Sequence, residues 1–150
     1  MTAGERLIDT NILVHAYVLL EARKQTAAQA LVLDLWKDGG GLTTMQNLCE
    51  FFHVATSKIK RPMPADQAGR IVKEILSSTK WHVLDRGVGT VVQAIELVIL
   101  HRASFWDALI AACMLEHGVS TIVTENEQDF KRIPGITVTN PFKVHAKRYD

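Results

Sequence analysis

Short apolar runs alternate with longer stretches of helical period along the whole chain, and this alternation constrains the fold more than any other feature. Strand-like runs are read at 5–9, 42–44 ("LTT"), 81–84 ("WHVL"), 121–124 ("TIVT") and 136–139 ("ITVT"). Between them the apolar residues recur at helical spacing over 11–20, 24–38, 45–58, 65–77, 88–101 and 105–117. In 45–58, Leu48, Phe51, Phe52 and Ala55 are expected on one buried face; in 65–77, Ala68, Ile71, Val72 and Ile75. Several of the strand runs lack polar alternation, which implies burial on both faces. Parallel sheets sandwiched between helices have that property. The expected architecture is therefore α/β, a three-layer α/β/α sandwich around a short, mainly parallel sheet.

At 150 residues, with 47% apolar and 22% charged residues, the chain suits one globular domain over 1–150. No internal repeat, low-complexity tract or linker interrupts it. Glu5 and Arg6 precede the first apolar run, so no secretory signal is read. No window approaches the ~20 uninterrupted apolar residues of a membrane span. A cytoplasmic location is expected. Cys49 and Cys113 lie in helical segments without metal-ligand spacing and read as small buried hydrophobes.

Four acids stand out by position. Asp9 ends the first strand, where ligands of a parallel α/β sheet gather. Its ordinary reading is a helix N-cap, a role for which Thr10 and Asn11 compete. Asp107 lies in the first turn of "FWDALIAACMLEHG", an otherwise almost wholly apolar helix. Ser104 three residues earlier makes a capping box the ordinary reading. Against it, the apolar neighbours imply a buried carboxylate, which is costly unless paired or metal-bound. Glu50, in "NLCEFFHV", turns away from the apolar face of its helix, towards solvent or a wet cleft. Glu125 follows "TIVT" as Asp9 follows its strand, whereas Glu127 and Asp129 read as acids of a capping turn. Acids from four distant positions can converge at one sheet edge only if something offsets their repulsion. Hard carboxylate oxygens suit Mg²⁺ or Mn²⁺. A divalent ion there can acidify a water, orient a scissile phosphate and neutralise developing charge.

Taken together, "LIDTNILVHA", "NLCEFF", "FWDALIAACMLEHG" and "TIVTENEQDF" resemble a PIN domain, in particular the VapC-type ribonuclease toxins of bacterial toxin–antitoxin modules. The resemblance covers nearly the whole chain. It implies a five-stranded parallel sheet and a cluster of acids that binds one or two Mg²⁺ or Mn²⁺ ions for RNA cleavage. Asp9, Glu50, Asp107 and Glu125 would then be the catalytic and metal-binding acids, with Asn11, Thr124 and Asn126 flanking the metals and their waters. Family members often carry an acid two residues after the strand-ending Thr. That place here is Asn126, and the acid, Glu125, stands one residue earlier. A direct role for Glu125 and a water-mediated one for Asn126 both stay open, and with them the second metal.

The implied reaction uses no protein nucleophile: a water attacks the phosphorus in line, oriented or deprotonated by Glu50 or Glu125. The whole-chain charge is only +1, but setting the four acids aside leaves 12 of the 16 against 17 Lys and Arg. Lys58, Lys60, Arg61 and Arg102 are candidate contacts to an RNA backbone, as are Lys147 and Arg148; such contacts give affinity without sequence choice. The resemblance also implies a homodimer and an antitoxin that blocks the cleft, with Tyr17, Val18 and Leu20 as candidate surface. Two rival readings remain. An Asp9-nucleophile phosphotransferase or phosphatase would want a second Asp where Asn11 stands. A non-catalytic domain of the same fold would bind protein only.

Overall fold

The computed structural model describes residues 5–143. Five parallel strands form one sheet in the order β3-β2-β1-β4-β5. The chain runs β1 (Arg6–Ile8), α1 (Thr10–Tyr17), α2 (Ala22–Asp38), β2 (Gly41–Thr44), α3 (Met45–Ser57), α4 (Ala65–Ser77) and β3 (Trp81–Leu84). It continues through α5 (Val88–His101), α6 (Phe105–Glu116), β4 (Thr121–Val123), α7 (Glu127–Lys131) and β5 (Thr137–Thr139). The expected three-layer sandwich is the one observed.

Strand alternation divides the core. Leu7, Leu42, Leu84 and Ile122 face a cluster completed by α5 and α6. Ile8 and Val123 face the other, which α1, α2, α3 and α4 close. Leu7 and Ile8 are both fully buried although adjacent, because each face of β1 is covered. This is why the strands read as continuous apolar runs.

Glycines shape the entry to β2. Gly39 caps α2 at φ 83°, a conformation that L side chains avoid. At Gly41 a Cβ would lie 2.8 Å from the Trp81 ring, so the close pairing of β2 with β3 requires glycine there.

The connections place the site. From β1 the chain steps outward to β2 and β3, then crosses back to β4 on the opposite side of β1. The carboxyl ends of β1 and β4 therefore flank a topological switch point, the crevice where doubly wound sheets bind ligands.

The element boundaries differ from expectation in two places that matter. Helix α1 stops at Tyr17 rather than near residue 20, and Val18 is extended. Leu19 and Leu20, 67% and 49% exposed, have no core to enter, so nothing extends the helix over them. In α3 the buried stripe is Leu48, Phe51 and Ala55, whereas Phe52 is exposed. The helix packs on α1 and α4, and Phe52 lies at the edge of that contact, its ring beside Gly69 of α4 and 38% exposed.

Candidate active site

Asp9 is the first residue beyond β1 and the N-cap of α1, so its carboxylate sits where strand and helix meet. It is only 5% exposed. One oxygen, Oδ1, accepts from the Thr10 amide at 2.8 Å and from Asn47 Nδ2 at 2.9 Å. The other, Oδ2, accepts from Thr124 Oγ1 at 2.7 Å and, more weakly, from Asn11 Nδ2 at 3.4 Å. Capping and site-building are thus one geometry: the cap bond fixes a carboxylate that three side chains then orient.

Glu50 projects from α3 into the same cleft. Thr10 Oγ1 donates to its Oε2 at 3.0 Å and Gln46 Nε2 to its Oε1 at 2.9 Å. Asp107, in the first turn of α6, accepts from Ser104 Oγ and from Asn126 Nδ2, both at 3.0 Å. The Ser104 side chain makes no bond to the helix amides, so the reciprocal capping box is not formed. Thr124 Oγ1 joins these parts, accepting from Asn11 Nδ2 at 3.1 Å and from the Asn126 amide at 3.0 Å.

Asp9, Asn11, Glu50, Asp107, Glu125 and Asn126 all line one cleft of about 300 Å³. Asp9, Glu50 and Asp107 share an electrostatic condition. Among the described residues, none of them is bonded to or paired with a Lys, Arg or His. Burial pushes Asp9 up to about 6 against the donation of Thr124 and Thr10, and the charges of Asp107 and Glu50 add to the rise. Asp107 is also raised, first by burial and then by the nearby charges of Asp129 and Glu50.

Glu125 is held differently. Lys24 Nζ lies 2.8 Å from its Oε2 and His15 Nε2 lies 3.3 Å from its Oε1. Burial alone would raise this carboxyl; the Lys24 and His15 bonds outweigh it and hold it below the usual range. Its negative charge already has a protein counter-charge.

Three participants escaped the sequence reading. Asn47 is fully buried and links β2 to the site: its Oδ1 accepts from Thr44 Oγ1 at 2.7 Å while its Nδ2 reaches Asp9. The signal was available as Thr44-x-x-Asn47, a capping box at a strand end. Gln46 ties α3 to α6, donating to both Glu50 and the Trp106 carbonyl, the latter at 3.0 Å. Asp129, on α7, brings a negative charge near Asp107, whereas Glu127 turns to Lys131, Lys143 and Asn140.

The basic candidates separate too. Lys60 and Arg61 line a neighbouring recess with Val18, Leu19 and Leu20, and Leu20 also borders the acid cleft. Lys58 and Arg102 are exposed C-caps of α3 and α5 and do not line that cleft. Lys147 and Arg148 lie outside the described residues. Tyr17 and Val18 are half-buried, and the Tyr17 hydroxyl accepts from Trp36 Nε1 at 2.9 Å.

The PIN domain model matches residues 6–136. This chain belongs to the PIN domain family. No curated protein matches it in sequence. Solved structures with the same fold include VapBC2 of Rickettsia felis bound to a promoter DNA fragment, at 23% identity and TM-score 0.66 over 90% of this chain and 97% of that one. A toxin–antitoxin complex from Klebsiella pneumoniae is 19% identical, TM-score 0.64, covering 93% and 99%. VapC20 of Mycobacterium tuberculosis, a toxin that cleaves the sarcin–ricin loop, is 21% identical, TM-score 0.60, covering 77% and 85%. At these identities the likeness speaks for the fold.

The PIN sheet thus brings the hard oxygen donors of Asp9, Glu50 and Asp107 to its switch point, and among the described residues no basic side chain pairs with them. That donor set fits Mg²⁺ or Mn²⁺ rather than a softer ion. The oxygens of Asp9, Glu50 and Asp107 are not all three within 4.8 Å of one another; among the described residues a group of three ligand atoms that close is formed by Cys113, Glu116 and His117. Mg²⁺ typically takes one or two carboxylates and keeps several waters, which is the fit a wider set of acids allows.

Proposed function

We propose that this PIN domain, spanning the chain, is a divalent-metal-dependent endoribonuclease and the toxin of a toxin–antitoxin module. The observation that carries the reading is the buried Asp9 carboxylate, grouped with Asp107 and Glu50 and, among the described residues, paired with no cationic side chain. Asp9, Glu50 and Asp107 would hold one or two Mg²⁺ or Mn²⁺ ions, directly or through water. Asp129, beside Asp107, takes the fourth acidic place in this reading, and Glu125 with its Lys24 and His15 partners forms the cleft wall. When bound, the metal supplies Lewis-acid activation of water and neutralises charge on the phosphate. The chain's own residues do the positioning. Thr124, Asn47 and the Thr10 amide fix the Asp9 oxygens, Asn126 fixes Asp107, and Thr10 with Gln46 fixes Glu50. Glu50, half-buried at the cleft wall, would orient the attacking water or take its proton in this reading, Glu125 being held by Lys24 and His15. Asn11 stands where an Asp9-nucleophile phosphotransferase would want a second acid, and its amide donates to Asp9 Oδ2 at 3.4 Å.

The assembly reading rests on exposed apolar surface. Val88, Val92, Ile95 and Ile99 recur on α5 at 85%, 57%, 45% and 66% exposure, a stripe suited to a second copy of the chain. Leu19 and Leu20, with Lys60 and Arg61 beside them and Leu20 reaching the acid cleft, suit an antitoxin segment that runs into that cleft. No helix of the described residues is long and apolar enough to cross a membrane.

The test is sequencing of RNA ends after expression of the parent and of Asp107→Asn, with in vitro cleavage followed as Mg²⁺ or Mn²⁺ is titrated. New metal-dependent ends that vanish in the variant support the reading; identical ends from both sink it.

A further inference from the structure

A second recess, about 480 Å³, shares Glu50 with the acid cleft and is otherwise walled by Met45, Gln46, Cys49, Asp85, Arg86 and Trp106. We propose that it receives an unpaired nucleobase adjoining the scissile phosphate, stacked on the Trp106 indole; this rests on the ribonuclease reading above.

Trp106 immediately precedes Asp107 in the first turn of α6, yet it is 59% exposed. The other two tryptophans pack together, Trp81 at 5% exposure with its ring 5.9 Å from Trp36. An indole left in water beside a cluster of acids contributes nothing to the core, and flat aromatic faces are what single-stranded nucleic acids stack on. The platform is held in place. Phe105 meets it edge-on at 5.2 Å, and Gln46 anchors its carbonyl to α3.

The walls match a nucleotide in kind. Met45, Cys49 and the indole offer apolar surface to the faces of a base, while Gln46, Glu50 and Asp85 offer polar groups to its edge. Arg86 is exposed, and among the described residues its guanidinium makes no ion pair, which leaves it available to a backbone phosphate. Continuity supplies the register. A nucleotide whose phosphate lies in the acid cleft can place the next base past Glu50, the residue that lines both recesses. Stacking on the indole needs a base freed from its duplex neighbours, so the recess favours single-stranded RNA at this step.

The test uses Asp9→Asn, which removes turnover, and tryptophan fluorescence, whose solvent-exposed reporter is Trp106. A short single-stranded oligoribonucleotide should quench the emission saturably; the same sequence as a duplex should not, nor should either in Asp9→Asn/Trp106→Ala. In the otherwise native chain, Trp106→Ala should raise KM for the oligonucleotide about ten-fold or more, affecting kcat less, and Trp106→Phe should recover most of the loss. Absence of quenching, or a parental KM in Trp106→Ala, overturns the subsite and leaves the nuclease reading standing. Quenching in a chain that never cleaves RNA sinks the nuclease and overturns the placement beside a scissile phosphate, leaving a site for a single-stranded base alone. Loss of self-association in Trp106→Ala without nucleotide quenching assigns the recess to a second copy of the chain and overturns the proposal.

Discussion

Asp9 and Glu125 occupy equivalent places, each the first or second residue beyond a parallel strand, and both border the same cleft. Their acidities nevertheless move in opposite directions. Asp9 is buried among hydroxyl and amide donors, and its neighbouring charges are acids. Glu125 has Lys24 and His15. Position at a strand end brings a carboxylate to the site; the sign of the neighbouring charge decides whether it calls for an external cation. Asp9 stands among other acids and holds its proton more tightly, and Glu125 is already in a salt bridge.

The sharpest way to break this comparison is substitution at the two positions. Asp9→Asn, which keeps the helix cap, should lower metal-dependent RNA cleavage by more than about a hundred-fold, beyond the ten- to hundred-fold typical of residues that only orient a ligand. Glu125→Gln should lose less than about ten-fold in the same assay. Equal losses would erase the distinction.

The metal-free protein offers the next test. The folded state holds the Asp9 proton more tightly than the unfolded chain, so it binds more protons between the ordinary value of 3.8 and about 6. Stability from this group is therefore full below that window and declines as pH rises through it, by about 3 kcal/mol if the whole shift is realised. Denaturant unfolding at pH 5 and pH 7 should show a larger fall in the parent than in Asp9→Asn, and Mg²⁺ should oppose the fall in the parent alone.

Orientation is worth less than ligation. Thr124→Val removes the 2.7 Å donor to Asp9 while keeping shape, and should weaken metal binding or cleavage by about ten- to a hundred-fold, read by calorimetry or initial rates.

The smallest effect belongs to the salt bridge. Lys24→Met should cost about 1 kcal/mol or less at pH 7, because both partners remain partly solvated. Glu125 is held below its ordinary 4.5, so its contribution is present above that value and disappears as pH falls through the lowered one. The parent and Lys24→Met should accordingly converge in stability in acid.

Legibility followed physical range. Strand and helix identity was readable because burial on both sheet faces and amphipathic spacing are local patterns. Asp9 and Asp107 were readable because an acid at the end of one apolar run, or inside another, contradicts its surroundings. Asn47 and Asp129 were not singled out: each resembles an ordinary capping residue until β2 comes beside β1, or α7 beside α6. The exposure of Phe52 and Trp106 was equally hidden, since an apolar residue carries no mark of whether a neighbouring helix reaches it.

What the sequence determined by itself is the order of the strands and of α1 to α6, though not the short α7, together with the acids at their junctions and the family to which the chain belongs, because these depend on residue type and short-range spacing. Only the tertiary structure decided which acid found a lysine and which was left beside other acids. Lys24 and Glu125 are a hundred residues apart, and at that separation charge pairing is a property of the packed sheet and helices, with no trace in the local chain.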